Sequence, residues 1–222
     1  MPHRYDVITF DCYGTLIDWE SGIASAFLAV ASEHGAALTR HELLGAYAEV
    51  EPIVEHEPYQ PYRDVLAETA IRTARRLGWV LPPARARFLA ESLPSWMPFP
   101  DTNAALERLR DAGCRLGILS NTDDDLLAAT RRHFSVDFDT IVTAQQVRSY
   151  KPDHCHFVAA RRIIGSARWL HAAQSNFHDI VPTNQLSIAN AWINRNGERQ
   201  LPGGIPLATF HDLASFAEWM TE

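Results

Sequence analysis

Short apolar runs alternate with amphipathic segments over much of the chain. Residues 5–10 are β-branched and aromatic and stop at Asp11, which predicts a buried strand that ends in a loop. Residues 114–119 form a second such run, after a helical stretch at 103–112 that ends at Gly113. Further apolar runs lie at 140–143, in the 180–181 region and at 191–194. Because strand and helix alternate through the second half of the chain, we expect an α/β core with a doubly wound parallel sheet.

The interval between the first strand and Pro98 breaks this alternation. It contains four segments that have the helical spacing of apolar residues and few strand signals, at 21–34, 40–51, 62–77 and 83–93. An all-helical cap inserted after the first strand is therefore expected. The predicted cap is 18–97, and 1–17 with 98–222 form the core. Such an insert is expected to lie over the carboxyl ends of the strands, above Asp11.

Composition and charge narrow the function to small-molecule chemistry. The 222 residues carry a formal net charge of −7, and nucleic-acid binding usually requires a basic face. The first apolar run is too short for a signal peptide or a membrane span. The cysteines, Cys12, Cys114 and Cys155, are an odd and widely spaced set that suggests neither a disulfide nor a zinc site. We therefore expect a cytoplasmic protein with no membrane or nucleic-acid partner.

Polar residues follow several strands of the alternating pattern, at Asp11, Ser120, Lys151 and Asp179. Each alone is explained by a loop acid, a helix cap or a surface charge. The carboxyl ends of parallel strands lie at one edge of a sheet, so the four together indicate a ligand site. The acidic triplet 123–125 is explained instead as the first turn of a helix, where the dipole favours negative charge.

Four short segments resemble the motifs of the haloacid dehalogenase superfamily, and most of all its L-2-haloacid dehalogenase branch. The segments are Asp11-Cys12-Tyr13-Gly14-Thr15-Leu16, Leu119-Ser120-Asn121, Tyr150-Lys151-Pro152-Asp153 and Ser175-Asn176-Phe177-His178-Asp179. No single motif is specific, but the combination is, and the resemblance covers nearly the whole chain. It implies a Rossmann-like core with a helical cap, a hydrolase activity, and a small carboxylic acid as substrate.

The resemblance also implies an aspartyl nucleophile. Asp11 would attack the Cα of a short 2-substituted acid, expel the substituent, and form an ester that water then opens. Lys151 would hold Asp11 ionised and lower its pKa. The resemblance also assigns supporting roles. Thr15 would hydrogen-bond near the nucleophile, and Asn176 and Asp179 would orient Lys151 and the hydrolytic water. Ser120 and Asn121 would bind the substrate carboxylate, the backbone of Cys12 and Tyr13 would stabilise the tetrahedral intermediate, and Trp19 and Tyr47 would make further substrate contacts.

Tyr13 separates this chain from the phosphatases of the superfamily. Those enzymes carry a second Asp at this position, which acts as general acid and base. A phenol with a reference pKa of about 10 replaces it poorly at neutral pH. The fourth motif also leaves one acid, Asp179, where the phosphatases have a pair that binds magnesium. We therefore expect no metal and no cofactor.

Two departures from the dehalogenase pattern mean that the sequence does not determine the leaving group. The second cap helix lacks the Arg that receives the halide, although Arg40 or Arg63 could supply a cation from elsewhere. Phe157 stands where the family often has a Tyr. An amine is an alternative leaving group, because its protonated form would interact better with the acidic and aromatic residues of this cap than with Arg. Opening the ring of L-azetidine-2-carboxylate is a reaction of that kind. Fluoride is a further alternative, because His and aromatic N–H or O–H groups can receive it.

Several functions therefore compete. The first is 2-haloacid dehalogenation, and the second is C–N hydrolysis of a cyclic amino acid through the same ester. Phosphatase chemistry despite Tyr13 and non-catalytic binding of a small acid are the other two. The sequence does not fix the oligomeric state, but dimers are common in the family it resembles, so a homodimer is an expectation.

Overall fold

The computed structural model describes residues 5–222, which form a parallel sheet with helices on both faces and a set of helices inserted after the first strand. The strands are β1 (Val7–Phe10), β2 (Arg115–Ser120), β3 (Thr140–Thr143), β4 (Trp169–Ala173), β5 (Ala189–Ile193) and β6 (Ala208–Phe210). Residues 1–4, on which part of the expectation about an export signal rests, lie outside the described residues.

The three longest helices lie in the inserted region. The α-helices are α1 (Trp19–Glu33), α2 (Arg40–Glu55), α3 (Tyr62–Arg76), α4 (Phe88–Ser92), α5 (Thr102–Asp111), α6 (Asp124–Thr130), α7 (Ala144–Val147), α8 (Cys155–Ile164), α9 (Val181–Gln185) and α10 (Leu213–Thr221). A π-helical turn, Asn176–Ile180, precedes α9. No helix within residues 5–222 is both long and apolar enough to cross a membrane.

All neighbouring strands pair in parallel, in the order β3-β2-β1-β4-β5-β6. The first strand is therefore central, and the chain winds outward from it on both sides. This confirms the predicted Rossmann-like, doubly wound fold. Asp11 directly follows β1 and Ser120 ends β2, so both lie at the carboxyl edge of neighbouring strands.

Both faces of the sheet are covered by helices. Side chains of a strand point alternately to its two faces, so Val7 and Phe10 lie on opposite sides. On one face Val7 packs in a cluster with Phe157 of α8. On the other, the ring of Phe10 meets Phe216 of α10 edge to face, with centroids 6.2 Å apart. Buried on both faces, β1 consists of the continuous run Val-Ile-Thr-Phe rather than an alternating pattern.

The chain divides into two compact units. The sheet unit runs up to Asp18 and continues at Pro98–Asn121 and Arg132–Glu222, and the helical unit comprises Trp19–Met97 and Thr122–Arg131. The expected boundaries placed 122–131 in the core. Asp123 explains the difference, because its carboxylate accepts the first backbone N–H groups of α3.

The N-terminus of α3 has no side-chain cap of its own, since Pro61 stands at the capping position. Asp123 Oδ1 accepts from the N–H of Tyr62 at 2.9 Å, and Oδ2 accepts from the N–H of Arg63 at 3.1 Å. A carboxylate at a helix N-terminus satisfies the unpaired donors there. The triplet therefore serves two helices: Asp124 and Asp125 lie in the first turn of α6, and Asp123 caps α3.

Three sheet elements differ from the sequence prediction. The strand expected near 180–181 is wrong, because Ile180 ends the π-helical turn and Val181 begins α9. The neighbouring strand β4 was not predicted. Its sequence, Trp-Leu-His-Ala-Ala, has a central histidine and two alanines, which weaken the β-branched signal. The short edge strand β6 was missed as well.

Gly117 has no side chain where β2 packs closely against Thr9 and Thr140 of the neighbouring strands. In β2 it lies opposite Thr9, and an added Cβ would fall 2.8 Å from the Thr140 carbonyl oxygen and 3.0 Å from Thr9 Cγ2. We expect Gly117→Ala to lower the free energy of unfolding by about 1–3 kcal/mol, measured by urea denaturation, because the sheet backbone cannot retreat. Gly45→Ala is the matched control, since that helical position has open space. It should be neutral or stabilising by about 1 kcal/mol. Equal effects of the two substitutions would contradict this account.

Candidate active site

Both oxygens of Asp11 are held by other side chains. Oδ1 accepts from Lys151 Nζ at 2.9 Å, and Oδ2 accepts from Thr15 Oγ1 at 3.1 Å. The Thr15 hydroxyl in turn accepts from the backbone N–H of Gln174 at 2.8 Å, so its own proton is directed to Asp11. Asp11 is 8% exposed. The site thus contains an oriented, nearly buried carboxylate, as a nucleophile requires.

The loop after Asp11 is a tight turn. The carbonyl oxygen of Cys12 accepts from the N–H groups of Leu16 and Ile17, at 2.8 and 3.0 Å. Gly14 has a φ of 98°, a conformation that other residues rarely adopt. The Cys12 side chain is buried, and burial raises the pKa of its thiol well above the usual value. A neutral thiol is a poor nucleophile, so Cys12 is a packing residue. Tyr13 is half-buried.

The Lys151 ammonium forms hydrogen bonds to three segments of the site. Its Nζ donates to Asp11 Oδ1 at 2.9 Å, to Asp179 Oδ1 at 2.6 Å and to the Leu119 carbonyl oxygen at 2.9 Å, which uses all three of its N–H bonds. The side chain is 1% exposed. Burial alone would lower the pKa of Lys151, but the charges and hydrogen bonds of the two carboxylates more than offset it and raise the pKa. The ammonium therefore stays charged.

Asn121 positions Lys151 through its backbone. Asn121 Oδ1 accepts from the Lys151 N–H at 2.7 Å, and Nδ2 donates to the Lys151 carbonyl at 3.1 Å. The resemblance assigned Asn121 to the substrate carboxylate. Both ends of its amide side chain bond to Lys151, so this side chain supports the lysine. Binding of the substrate carboxylate by Asn121 stays a prediction, in which its backbone N–H would be the donor.

Asp179 lies in the π-helical turn that Ser175 caps. The backbone N–H of Asp179 donates to the Ser175 carbonyl at 3.2 Å, and the Ser175 hydroxyl accepts from the N–H of His178. Burial favours the neutral acid, but Lys151 and a hydrogen bond from His171 outweigh burial and hold the pKa of Asp179 far below its usual range. The turn thus presents a permanently ionised carboxylate to Lys151.

The pKa of Asp11 is shifted in the opposite direction. Burial raises it, the Lys151 ammonium opposes that rise, and the negative charge of Asp179 adds to it, so the pKa of Asp11 lies above the usual value. Lys151 lowers the pKa of Asp11, as expected, but burial and the charge of Asp179 outweigh it, so the net shift is upward. One ammonium serves two carboxylates here, and Asp179 also has the hydrogen bond from His171.

Ser120 keeps its hydroxyl available. Its Oγ is buried and has no hydrogen-bond partner among residues 5–222. Its carbonyl oxygen accepts from His156 Nε2 at 3.2 Å. Burial and the nearby Lys151 charge lower the pKa of His156 to about 3, so this imidazole is neutral. An unsatisfied hydroxyl beside the nucleophile loop is suited to an anionic ligand.

Asn176 does not reach Lys151. Its Nδ2 donates to the Gly204 carbonyl at 3.0 Å, and its Oδ1 accepts from the Leu201 N–H at 3.1 Å. A Cβ at Gly204 would fall 1.9 Å from that Oδ1, so the contact is close. The hydrogen bonds of Asn176 do not support the predicted orientation of Lys151, because its side chain fixes the loop between β5 and β6. Its predicted part in orienting the hydrolytic water stays a prediction.

Trp19 and Tyr47, the other predicted substrate contacts, lie together in the helical unit. Their rings are tilted at 42° with centroids 5.9 Å apart. Tyr47 is fully buried, and its hydroxyl donates to Glu51 Oε1 at 2.8 Å. Their part in substrate binding stays a prediction.

The two candidate halide-binding cations of the helical unit are paired with acidic residues. Arg63 donates to Asp123 at 3.1 Å and to Asp125 at 2.5 Å. Arg40 Nη2 lies 3.8 Å from Glu20 Oε2. Both guanidinium groups thus have an acidic partner, Arg63 within hydrogen-bond distance and Arg40 at a longer one, which makes Arg63 above all a weak receptor for an anion.

The donor set at the sheet edge is one ammonium between two carboxylates. Over residues 5–222, no group of three or more His, Cys, Asp or Glu side chains is arranged to hold a metal ion. The arrangement of Asp11, Lys151 and Asp179 therefore does not fit a dedicated divalent-cation site, which prefers several oxygen ligands around the ion.

His171 is a site residue that the sequence analysis did not identify. It lies in the middle of β4, is fully buried, and donates from Nε2 to Asp179 Oδ1 at 2.9 Å. A histidine inside an otherwise apolar strand of a parallel sheet is a signal that could have identified it, because a buried imidazole needs partners.

A family model for haloacid dehalogenase-like hydrolases matches residues 5–173, which include Asp11, Thr15, Ser120 and Lys151. The chain is a haloacid dehalogenase-like hydrolase. The match ends at the last residue of β4, so the place of Asp179 in the site of this hydrolase rests on its hydrogen bonds.

Known relatives extend the likeness of this hydrolase over its full length. An (S)-2-haloacid dehalogenase of Pseudomonas putida is 26% identical over 97% of both chains. A crystal structure of an L-2-haloacid dehalogenase superposes with a TM-score of 0.85 at 23% identity, covering 98% of this chain and 99% of that one. The L-2-haloacid dehalogenase of Xanthobacter autotrophicus with chloropropionic acid covalently bound gives a TM-score of 0.79 at 18% identity, over 96% of this chain and 97% of that one. The two structures establish the fold.

Replacing Asp11 with Asn is expected to stabilise this hydrolase. The raised pKa of Asp11 means that the folded chain binds the proton more tightly than the unfolded chain. The resulting stability is present at low pH and is lost as the pH rises through the raised pKa. Asn does not ionise and still accepts from Lys151. Asp11→Asn should therefore unfold at a temperature about 2–4 °C higher at pH 8, the shift that ~1 kcal/mol produces in a chain of this size.

Calorimetry at pH 8 and pH 4 measures both the shift and its disappearance in acid. Asp137→Asn is the control for removing one negative charge from the surface, because Asp137 is exposed. It should change the unfolding temperature little at either pH. A lower unfolding temperature for Asp11→Asn than for the wild type at pH 8 would contradict the raised pKa.

Proposed function

We propose that the chain hydrolyses the bond between Cα and the 2-substituent of a short carboxylic acid through an ester on Asp11, most simply as a 2-haloacid dehalogenase. The observation that carries the proposal is the geometry at Asp11. Its carboxylate is held by Lys151 and Thr15, and the residue two positions on is Tyr13 rather than a second carboxylic acid. That geometry suits attack at carbon, in which no leaving alcohol has to be protonated.

The first step is an in-line displacement. The ionised Asp11 carboxylate attacks the substrate Cα, a new C–O bond forms, and the substituent leaves with the electron pair of its bond to Cα. Thr15 and Lys151 fix the carboxylate, which lowers the entropic cost of reaching the transition state. Ser120, with its unpaired buried hydroxyl, would hold the substrate carboxylate.

The second step opens the ester. Water attacks the carbonyl carbon of Asp11 and the acyl C–O bond breaks. The product leaves as a 2-hydroxy acid that carries an Asp11 oxygen, and the water oxygen remains on Asp11. In this proposal Asp179 accepts a proton from that water, which is supported by its ionised state and by the Lys151 ammonium that it shares with Asp11. Donors from the backbone of Cys12 and Tyr13 would stabilise the tetrahedral intermediate.

The relatives and the composition support proposals about the substrate, the metal requirement, the compartment and the oligomeric state. The Pseudomonas putida relative is named as an (S)-2-haloacid dehalogenase, which gives the acid and its configuration as the first substrates to examine. The donor set around Lys151 supports a reaction that needs no metal. Cys12, Cys114 and Cys155 are free thiols, which favours the reducing cytoplasm as the working compartment. A homodimer is proposed from the family alone.

The covalent step is tested with (S)-2-chloropropionate. The wild type should release one chloride for each 2-hydroxy acid formed. Asp11→Asn should reduce that rate about 10³-fold or more, because the nucleophile is lost. A single turnover in heavy-oxygen water should place the label in Asp11, as read by peptide mass spectrometry. Label that appears only in the product would exclude the ester. Asp137→Asn is again the control and should retain activity.

A second candidate reaction uses the same ester but expels an amine. It is favoured by the acidic partners of Arg40 and Arg63, which leave those cations poorly suited to a halide. Within the helical unit, Glu51 accepts from the hydroxyls of Tyr47 and Tyr62 and has no cation partner among residues 5–222. L-azetidine-2-carboxylate should then yield an acyclic hydroxy amino acid faster than chloropropionate yields chloride. Faster chloride release would favour dehalogenation. Magnesium-dependent hydrolysis of p-nitrophenyl phosphate would contradict both.

A further inference from the structure

A continuous chain of polar side chains runs through the middle of the sheet to the candidate active site. Trp169 Nε1 donates to Thr9 Oγ1 at 2.7 Å, and Thr9 Oγ1 lies 2.8 Å from His171 Nδ1. His171 Nε2 lies 2.9 Å from Asp179 Oδ1. Thr9 and His171 are fully buried and are direct register partners in β1 and β4. Polar groups in such an interior stabilise a fold only when all of them are paired.

With a neutral imidazole, which carries one N–H, the direction of each hydrogen bond in this chain follows from the donors. An indole N–H can only donate, so Thr9 Oγ1 accepts from Trp169. The Thr9 hydroxyl proton then has one acceptor within reach among the described residues, which is Nδ1 of His171. Because Nδ1 accepts, the ring proton is on Nε2, and Nε2 donates to Asp179. The tautomer of His171 is thus set by Trp169 through Thr9.

The two oxygens of Asp179 consequently differ. Oδ1 accepts from both Lys151 Nζ and His171 Nε2. Oδ2 is buried and has no hydrogen-bond partner among residues 5–222. Two charge-assisted bonds to one oxygen fix the plane of the carboxylate and leave the other oxygen as an unused acceptor.

We propose that His171 is a positioning residue for the ester-hydrolysis step: by holding Asp179 Oδ1, it presents Oδ2 to the hydrolytic water. This inference rests on the proposed function, in which water opens the Asp11 ester. In that step Oδ2 takes one proton from water as the water oxygen bonds to the Asp11 carbonyl carbon. The proton then passes to the departing oxygen of the product as the acyl C–O bond breaks. The second water proton is released to solvent, and Asp11 returns as a carboxylate.

The displacement step is expected to depend much less on His171. The Asp11 carboxylate is oriented by Lys151 Nζ and Thr15 Oγ1, neither of which is bonded to His171. The effect of changing His171 should therefore appear after the ester has formed. That difference between the two steps distinguishes a positioning role in hydrolysis from general damage to the site.

Two substitutions separate the hydrogen bond from the packing. His171 packs edge to face on Phe157, with centroids 5.3 Å apart. His171→Phe keeps a ring against Phe157 but removes the donor to Asp179. His171→Gln removes the ring, but its amide nitrogen can occupy the position of Nε2 and donate to the same oxygen.

The test is single-turnover and steady-state kinetics with (S)-2-chloropropionate, with the ester on Asp11 followed by intact-protein mass spectrometry. His171→Phe should release the first chloride at the wild-type rate and then accumulate ester, with hydrolysis slowed about 10- to 100-fold, the usual effect of losing a hydrogen bond to a charged group. His171→Gln should restore hydrolysis and abolish the accumulation. Thr9→Val, which removes only the bond that sets the tautomer, should give a smaller accumulation.

Each alternative outcome is decisive. If the wild type turns over but His171→Phe slows both steps equally, or neither, His171 has no positioning role in hydrolysis. If His171→Phe does not fold, His171→Asn replaces it, because its shorter amide cannot reach Asp179 and should accumulate the ester that His171→Gln does not. Equal behaviour of Asn and Gln would overturn the proposal. A wild type that forms no ester contradicts the proposed function instead, since that failure does not involve His171.

Discussion

One buried ammonium, that of Lys151, holds together the segments that form the candidate site. It contacts the nucleophile loop at Asp11, the end of β2 through the Leu119 carbonyl, and the π-helical turn at Asp179. A charge in that position is strongly unfavourable unless every bond is made, and here all three N–H groups are satisfied. The geometry of three separate segments is therefore fixed by the requirement to pair a single cation.

Because one cation is shared by two carboxylates, Asp11 and Asp179 have different pKa values and suit different steps of the reaction. Asp179 receives the larger share of stabilisation, and its pKa is lowered, whereas the pKa of Asp11 is raised. A carboxylate with a raised pKa is less stabilised by its surroundings, which suits a group that must give up its charge on forming an ester. The low pKa of Asp179 keeps it ionised and therefore free to accept a proton, but it also makes Asp179 a weak base, so a proton taken from water must pass on quickly to the departing product oxygen. Environments that push two pKa values apart commonly separate catalytic roles in this way.

The sheet and the main candidate residues were accessible from the sequence. Continuous apolar runs that end in polar residues predicted β1, β2 and the position of Asp11. Such runs are typical of strands that are buried on both faces, as in a parallel sheet covered by helices. Lys151 and Asp179 were predicted from the strand pattern and from resemblance to short motifs, and the structure links Asp11 to Asp179 through the Lys151 ammonium.

The remaining features depend on contacts that local sequence does not encode. Asn121 and Asn176 resemble ligand-binding residues, but their amide groups support Lys151 and the 201–204 loop, partners that are distant in sequence. The net pKa shift of Asp11 comes first from burial and then from the charge of Asp179, neither of which the local sequence shows. His171 was missed because β4 lacks the β-branched pattern of its neighbours, and the need for a buried imidazole is met by Thr9 on another strand.

The polar chain from Trp169 to His171 also affects how this sheet can evolve. Thr9 and His171 lie in the interior of a parallel sheet, where apolar side chains would normally give the greatest stability. Substitutions there that fill space and raise thermal tolerance would disconnect a hydrogen-bonded support that ends at the carboxylates. Selection for a stable fold and selection for turnover thus act in opposite directions on the same buried strand positions, and Gly117 beside them is restricted by the space that Thr9 and Thr140 occupy. Efforts to stabilise this hydrolase have more freedom in its exposed helices than in the centre of its sheet.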